Sequence, residues 1–180
     1  QWQINIESDH EILELNQKCF NTHGVWPLSM SIPHYIELNQ NPSEIVSPIM
    51  PGYPYSFESE HEYLARYSEA YLALTHRKAG WDCFRHVEIM ASGSVPLMPD
   101  ANIIPEFSMT HYPKRGLSEI VDRINGEGGL PDQAVREGLR EFFLSHLTTV
   151  KMAAYIMASA NIPADASVLF LDENLPTNPE

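Results

Sequence analysis

The chain has 180 residues, 43% of them hydrophobic, so it can form one domain with a substantial core and is not expected to be globally disordered. Eleven basic residues stand against 24 acidic ones, which gives a formal net charge of −13. This charge excludes a protein that tracks nucleic-acid phosphates along a basic stripe. A small phosphate-bearing ligand stays open, because it needs only one or two cations and a helix N-terminus.

Two cysteines, Cys19 and Cys83, do not make a disulfide framework, and neither has a CxxC partner. We therefore expect free thiols in a reducing compartment. No apolar run approaches the ~20 residues that span a bilayer, and no secretory signal opens the chain. These features predict a cytoplasmic protein without a transmembrane segment. The first residue is Gln rather than Met, which is consistent with a fragment or a trimmed chain.

The first part of the chain contains two alternating patterns and two helix starts. Apolar residues alternate with polar ones over 2–6 and again over 27–32, and this spacing predicts two strands. Between them, Ser8 and Asp9 predict the cap of a helix. Pro33 favours the start of another helix, because its fixed φ suits the first helical position.

The middle of the chain predicts a regular alternation of strands and helices, with the bounds 45–50 (strand), 57–70 (helix), 71–75 (strand), 81–92 (helix) and 95–98 (strand). Pro48 makes the first of these strands an edge strand or a broken one. Gly93 is expected to end the second helix. The last part predicts a helix over 117–124, a long helical stretch jointed near Thr148 and a strand over 168–171.

This alternation predicts an α/β fold, Rossmann-like, with three layers (α/β/α) around a mostly parallel sheet. We predict a single domain over 1–171, with an irregular segment at 99–116, a long helical region at 131–160 and a loose tail at 172–180. Such sheets bind ligands at the carboxyl ends of their strands, in loops that lead into helices. The loop Thr75–Trp81 is such a place.

Arg85 and Glu88 stand three residues apart on the helix after this loop, so they lie on one helix face. A cation beside a carboxylate suits a sugar nucleotide, which offers phosphate to Arg85 and hydroxyl groups to Glu88. A surface ion pair of little energetic consequence is the alternative. His86 lies on another face of the helix, where a packing or surface role is more common than a ligand role.

Five further residues of the segment are predicted to bind substrate: Thr75, Lys78, Gly80, Trp81 and Asp82. Trp81 suits a core anchor and a stacking platform equally well. Asp82 can also cap the helix, and Lys78 can be solvated or contact phosphate.

Known metal and cofactor motifs are missing from the sequence. Eight histidines lack metal-ligand spacing, and His10-Glu11-x-x-Glu14 lacks the second histidine of a zinc helix, so we interpret it as a solvated helix face. No Walker loop, GxGxxG after a strand or GxSxG elbow occurs. We therefore predict neither a metal nor a cofactor, and no catalytic residue is identified.

Three stretches, 71–75, 80–89 and 93–97, together resemble the sugar-nucleotide-binding half of exostosin-like glycosyltransferases. That family shows an apolar strand, a glycine-containing loop, an Arg and a Glu three apart on a helix, and a Gly-x-x-Pro step into the next strand. Here these are Arg85, Glu88 and the step from Gly93 to Pro96. Ile104-Pro105, Met109 and Tyr112-Pro113-Lys114 look like the family's variable segment, so the resemblance covers roughly residues 53–114.

The resemblance implies one half of a two-domain GT-B enzyme that moves a sugar from a nucleotide diphosphate to an acceptor, usually without a bound metal. It implies that Arg85 meets the diphosphate and Glu88 the ribose or sugar hydroxyls. A chain of 180 residues has room for one such half, so the resemblance implies that the acceptor-binding half either is absent or lies outside this chain, as a missing N-terminal domain, and that glycosyl transfer requires both halves. A non-catalytic nucleotide- or glycan-binding module and an interaction domain without a small ligand are the alternative functions.

Overall fold

The computed structural model describes residues 2–52 and 57–167. Within these ranges the chain forms helices and strands in the order α1 (Asp9–His23), β1 (Glu44–Val46), α2 (Glu60–Ser68), β2 (Ala70–Leu74), α3 (Phe84–Ala91), β3 (Val95–Leu97), α4 (Lys114–Gly126), α5 (Gln133–His146) and α6 (Thr149–Ser159). A short 3-10 helix, Ala101–Ile103, lies between β3 and α4. The predicted α/β class is confirmed.

The described strands form one parallel sheet in the order β1-β2-β3, with β2 at its centre. Glu44 is opposite Ala70, and Leu72 is opposite Val95. Pro96 lies on β3, an edge of this sheet, where its missing N–H costs no ladder hydrogen bond. All three carboxyl ends therefore lie at the same side of the sheet.

Helices cover both faces of the sheet, as a Rossmann-like three-layer fold requires. Successive residues of a strand point to opposite faces. Ala73 of β2 packs in a cluster with residues of α2 and α3, whereas its neighbour Leu72 packs with residues of α4 and α5. Burial on both faces explains why β2 is apolar throughout instead of alternating.

The alternating segment 2–6 is not a strand, so that prediction was wrong. Its apolar residues Trp2, Ile4 and Ile6 pack against a cluster to which α4, α5 and the strands β2 and β3 all contribute. Its backbone finds side-chain acceptors, as when the Asn5 N–H donates to Glu119 at 2.8 Å. The alternation indicates one buried face, which packs against α4, α5 and the sheet.

The predicted strand at 27–32 and the predicted helix after Pro33 are also absent from the described structure. In the first segment only Ile32 forms a bridge, to Thr148. In the second, two buried arginines of α5 bind the carbonyl groups: Arg140 donates to Ile36 and Arg136 to Asn39. These carbonyls are therefore satisfied without helical hydrogen bonds.

Other boundaries agree with the predictions or shift by a few residues. The capping box of Ser8 and Glu11 starts α1, and Thr148 caps α6 at the predicted joint in 131–160. α4 begins at Lys114, inside the segment predicted to be irregular. The predicted strand 168–171 and tail 172–180 lie outside the described residues.

Candidate functional site

A cavity of about 270 Å³ lies where the loop after β2 leads into α3. We call it the sheet-edge cavity. Its described lining comes from the segments that follow β1 and β2 and from the N-cap and first two turns of α3: Pro51, His76, Lys78, Cys83, Phe84, Arg85 and Glu88. It therefore lies at the carboxyl end of a parallel strand, which is where such folds bind ligands.

Three of the seven residues predicted to bind substrate line this cavity: Lys78, Arg85 and Glu88. The other four, Thr75, Gly80, Trp81 and Asp82, are not among its described lining residues. The structure thus brings the charged members of the predicted set together.

Glu88 is held by a tyrosine from another helix. The hydroxyl of Tyr63 donates to Glu88 Oε2 at 2.9 Å and lies 3.2 Å from the hydroxyl of Tyr67. Burial raises the pKa of Glu88, and the Tyr63 hydrogen bond and the Arg85 charge oppose that rise. The side chains of Arg85 and Glu88 are both half-buried. Glu88 is therefore a hydrogen-bond acceptor that is held in place beside a cation.

Thr75 and Trp81 are joined through a buried histidine. His86 has no exposed surface; its Nε2 lies 2.9 Å from the Trp81 carbonyl and its Nδ1 lies 2.9 Å from Thr75 Oγ1. A carbonyl only accepts, so Nε2–H donates to it and the Thr75 hydroxyl donates to Nδ1. Burial lowers the pKa of His86, in keeping with this neutral form. The histidine fixes both ends of the loop.

Trp81 and Asp82 serve the packing of the loop. Trp81 packs against the main hydrophobic cluster, and the Arg77 guanidinium lies 4.8 Å from its ring centroid. Asp82 Oδ2 accepts from the Met30 N–H at 3.1 Å. The predicted cap role of Asp82 was wrong, because Cys83 is the N-cap of α3 and makes no side-chain capping hydrogen bond.

Positive charge gathers at the sheet-edge cavity although the chain is strongly acidic. Lys78 and Arg85 both line it, and the N-terminus of α3 borders it through Cys83 and Phe84. A helix N-terminus carries partial positive charge and favours anions. The arrangement therefore suits a phosphate-bearing ligand with hydroxyl groups for Glu88.

Sequence reasoning missed four lining residues: Pro51, His76, Cys83 and Phe84. Pro51 follows β1, and the carboxyl ends of parallel strands share one sheet edge, so its position was predictable in principle. Phe84 is 52% exposed and presents a ring that can stack on a planar group. Burial raises the pKa of the Cys83 thiol, which opposes formation of a reactive thiolate.

Within residues 2–52 and 57–167, no group of three or more His, Cys, Asp or Glu side chains is arranged to hold a metal ion. Over the same ranges, no helix is long and apolar enough to cross a membrane. Compared with protein-family models, curated proteins and solved structures, the chain matches none of them.

Proposed function

We propose that this chain is the donor-binding domain of a glycosyltransferase and that it binds a nucleotide diphosphate sugar in the sheet-edge cavity. The observation that carries the proposal is the meeting of Arg85, Lys78 and Glu88 in one cavity at the carboxyl end of β2. Two cations and a carboxylate match the two polar parts of this ligand, the diphosphate and the sugar hydroxyls.

Arg85 is the diphosphate contact in this proposal. A guanidinium binds phosphate oxygens through two parallel N–H donors, and such charge-assisted hydrogen bonds are stronger than neutral ones. The N-terminus of α3 adds partial positive charge on the same side of the cavity. Lys78, on the exposed loop, supplies a second, more flexible cation.

Glu88 is the hydroxyl contact. Its Oε2 already accepts from Tyr63, and a carboxylate has about four lone-pair sites, so it can accept from ligand hydroxyls as well. Tyr63 also keeps the side chain in place, which reduces the conformational entropy lost on binding.

The cavity holds part of the ligand. Sites for drug-sized ligands enclose roughly 300–1,000 Å³, and this one encloses about 270 Å³. A diphosphate with one adjoining ring fits that space, and the exposed ring of Phe84 offers a stacking surface beside it. In this proposal a second, acceptor-binding half closes over the rest of the donor and supplies the groups for transfer. The GT-B organisation and the exostosin-like resemblance belong to the same proposal.

Calorimetry with UDP, GDP, ADP and CDP tests the proposal on the full chain. We expect at least one of them to bind, and Arg85→Ala to weaken that binding roughly 10- to 100-fold, the range for a hydrogen bond to a charged group. Arg123→Ala is the matched control: it removes the same charge from α4, where Arg123 lies over the Trp2 ring, and keeps the wild-type affinity.

Failure of wild type to bind any nucleoside diphosphate would refute donor binding. Equal losses in Arg85→Ala and Arg123→Ala would show that only net charge matters and would remove the assigned role of Arg85. Thermal melting of each variant separates lost binding from lost folding.

A further inference from the structure

An open groove lies between α1 and α6, and it shares no lining residue with the sheet-edge cavity. It encloses about 500 Å³, within the roughly 300–1,000 Å³ of sites for small ligands. Its walls come from one face of α1, from Trp26 in the segment after α1, and from one face of α6 with Asn161 beyond its end. We call it the α1–α6 groove.

Two aromatic side chains line this groove, and each is held in place by a contact of its own. Trp26 stacks on Phe20, with ring centroids 4.5 Å apart and an angle of 16° between the planes. The Tyr155 hydroxyl donates to the carbonyl of Pro27 at 3.1 Å, so Tyr155 is anchored to the chain neighbour of Trp26. Aromatic faces carry partial negative charge, which attracts the weakly positive C–H groups of a ligand.

Polar side chains of the groove are exposed and keep hydrogen-bonding capacity. Glu14 pairs with His10 at 3.6 Å, and both side chains are open to solvent. The amide nitrogen of Gln17 donates to Asn21 Oδ1 at 3.0 Å, which leaves the amide oxygen of Gln17 as an acceptor. Asn161 is exposed, and its side chain makes no hydrogen bond within residues 2–52 and 57–167.

The amide of Asn161 is not required by the turn in which it lies. Asn161 follows Ala160, the C-cap of α6, and has φ +54°, the left-handed conformation that ends many helices. Glycine adopts this conformation at lower cost, because it has no Cβ. The turn therefore does not account for an amide side chain, whereas this side chain lines the groove.

The charge of the α1–α6 groove differs from that of the sheet-edge cavity. Neither Lys nor Arg occurs among its described lining residues, and the carboxylate of Glu14 repels a phosphate. A purely apolar ligand is also disfavoured, because it would strip water from the polar groups without replacing their hydrogen bonds. A neutral ligand with both C–H faces and hydroxyl groups satisfies the two kinds of wall.

We propose that the α1–α6 groove binds a neutral oligosaccharide. The C–H groups of its sugar rings pack on Trp26 and Tyr155. Its hydroxyls, each of which donates and accepts, bind the side chains of Glu14, Gln17 and Asn161. The groove is open, so further sugar rings extend from it into solvent. This proposal does not depend on donor binding in the sheet-edge cavity.

Nitrogen-15 NMR of the full chain tests this proposal with the neutral sugars cellotetraose, maltotetraose, xylotetraose and chitotetraose, and with a heparin tetrasaccharide as the acidic counterpart. We expect at least one neutral sugar to shift the Trp26 indole N–H and the Asn161 side-chain amide saturably. Asn161→Gly keeps the turn and removes the amide, so it should weaken that binding about 2- to 10-fold, the net value of one neutral hydrogen bond, without lowering the melting temperature. Trp26→Ala should weaken it further.

Asn125→Gly is the matched control, because it removes an exposed amide from the last turn of α4 and should bind like wild type. Arg85→Ala should also bind the sugar like wild type, so this test succeeds or fails independently of donor binding. Absence of a saturable shift at Trp26 and Asn161 with every neutral sugar, equal affinities of Asn161→Gly and Asn125→Gly, or tighter binding of the heparin tetrasaccharide at these two side chains would each overturn the proposal.

Discussion

The Tyr63 hydroxyl donates a 2.9 Å hydrogen bond to Glu88 Oε2, which ties α2 to the carboxylate that lines the sheet-edge cavity. Tyr63 is 7% exposed, so this bond lies at the buried side of Glu88. It favours the charged form of the carboxylate and so opposes the rise in the Glu88 pKa that burial causes. The charge of Glu88 therefore depends on a residue 25 positions earlier in the chain.

Tyr63→Phe should raise the pKa of Glu88 further, because the variant removes a donor to the carboxylate and keeps the burial. Carbon-13 NMR of the Glu88 carboxyl group measures the midpoint directly in both proteins. We also expect the free energy of unfolding to fall by about 1 kcal/mol, the usual net value of one hydrogen bond.

Tyr67→Phe is the control for this titration, since it leaves the direct bond between Tyr63 and Glu88 in place. Its effect on the Glu88 midpoint should be the smaller one. An unchanged midpoint in Tyr63→Phe would mean that the bond does not set the ionisation of Glu88.

The sequence predicts the order of strands and helices around the sheet-edge cavity better than it predicts which side chains contact one another there. The apolar run of β2 and the glycine after α3 are local signals, and both lie where expected. Tyr63 reaches Glu88 through the packing of α2 against α3, which no local spacing encodes. Thr75 directly follows β2, and its position in the sequence does not show whether its hydroxyl faces a ligand or, as in the fold, His86.

The apolar–polar alternation at the N-terminus likewise predicts which side chains are buried but not which elements bury them. Residues 2–6 carry the period of a half-buried strand, and the apolar half is indeed the more buried one. The elements that bury this face lie elsewhere in the chain: α4, α5, β2 and β3. A period of two therefore predicts the exposure of these side chains correctly and their backbone pairing incorrectly.

Gly93→Ala should destabilise the fold by about 1–3 kcal/mol. Gly93 has φ +76°, a conformation that costs a residue with Cβ, and an added Cβ would overlap Cδ1 of Leu38. Urea unfolding measures the loss. Gly126→Ala is the control, because it lies at the end of α4 with open space around it and should be neutral or slightly stabilising. Equal effects of the two variants would contradict the steric argument.

Arg136→Met should cost about 2–4 kcal/mol. Arg136 is 1% exposed, and its guanidinium donates to the carbonyls of Gly93 at 3.1 Å and Asn39 at 2.8 Å. The variant keeps apolar volume and leaves both buried carbonyls without this donor. Urea unfolding measures the loss, and Arg77→Met, at an exposed loop position, should change stability little. A neutral Arg136→Met would show that the carbonyls find other partners.

His111 should make the protein lose stability in mild acid. Its pKa is lowered by burial to about 4, against about 6.5 in the unfolded chain. Between these values the unfolded chain binds the proton and the folded one does not, so the free energy of unfolding falls as pH falls, by about 3 kcal/mol in total. His86, whose pKa burial also lowers, acts in the same direction.

His111→Gln should therefore reduce the loss of stability between pH 6.5 and 4 without abolishing it, because the contribution of His86 remains. Urea unfolding of both proteins at pH 7, 5.5 and 4.5 measures the slope, and His61→Gln, at an exposed position on α2, is the matched control. A slope that stays unchanged in His111→Gln would show that His111 charges as readily in the folded protein as in the unfolded chain.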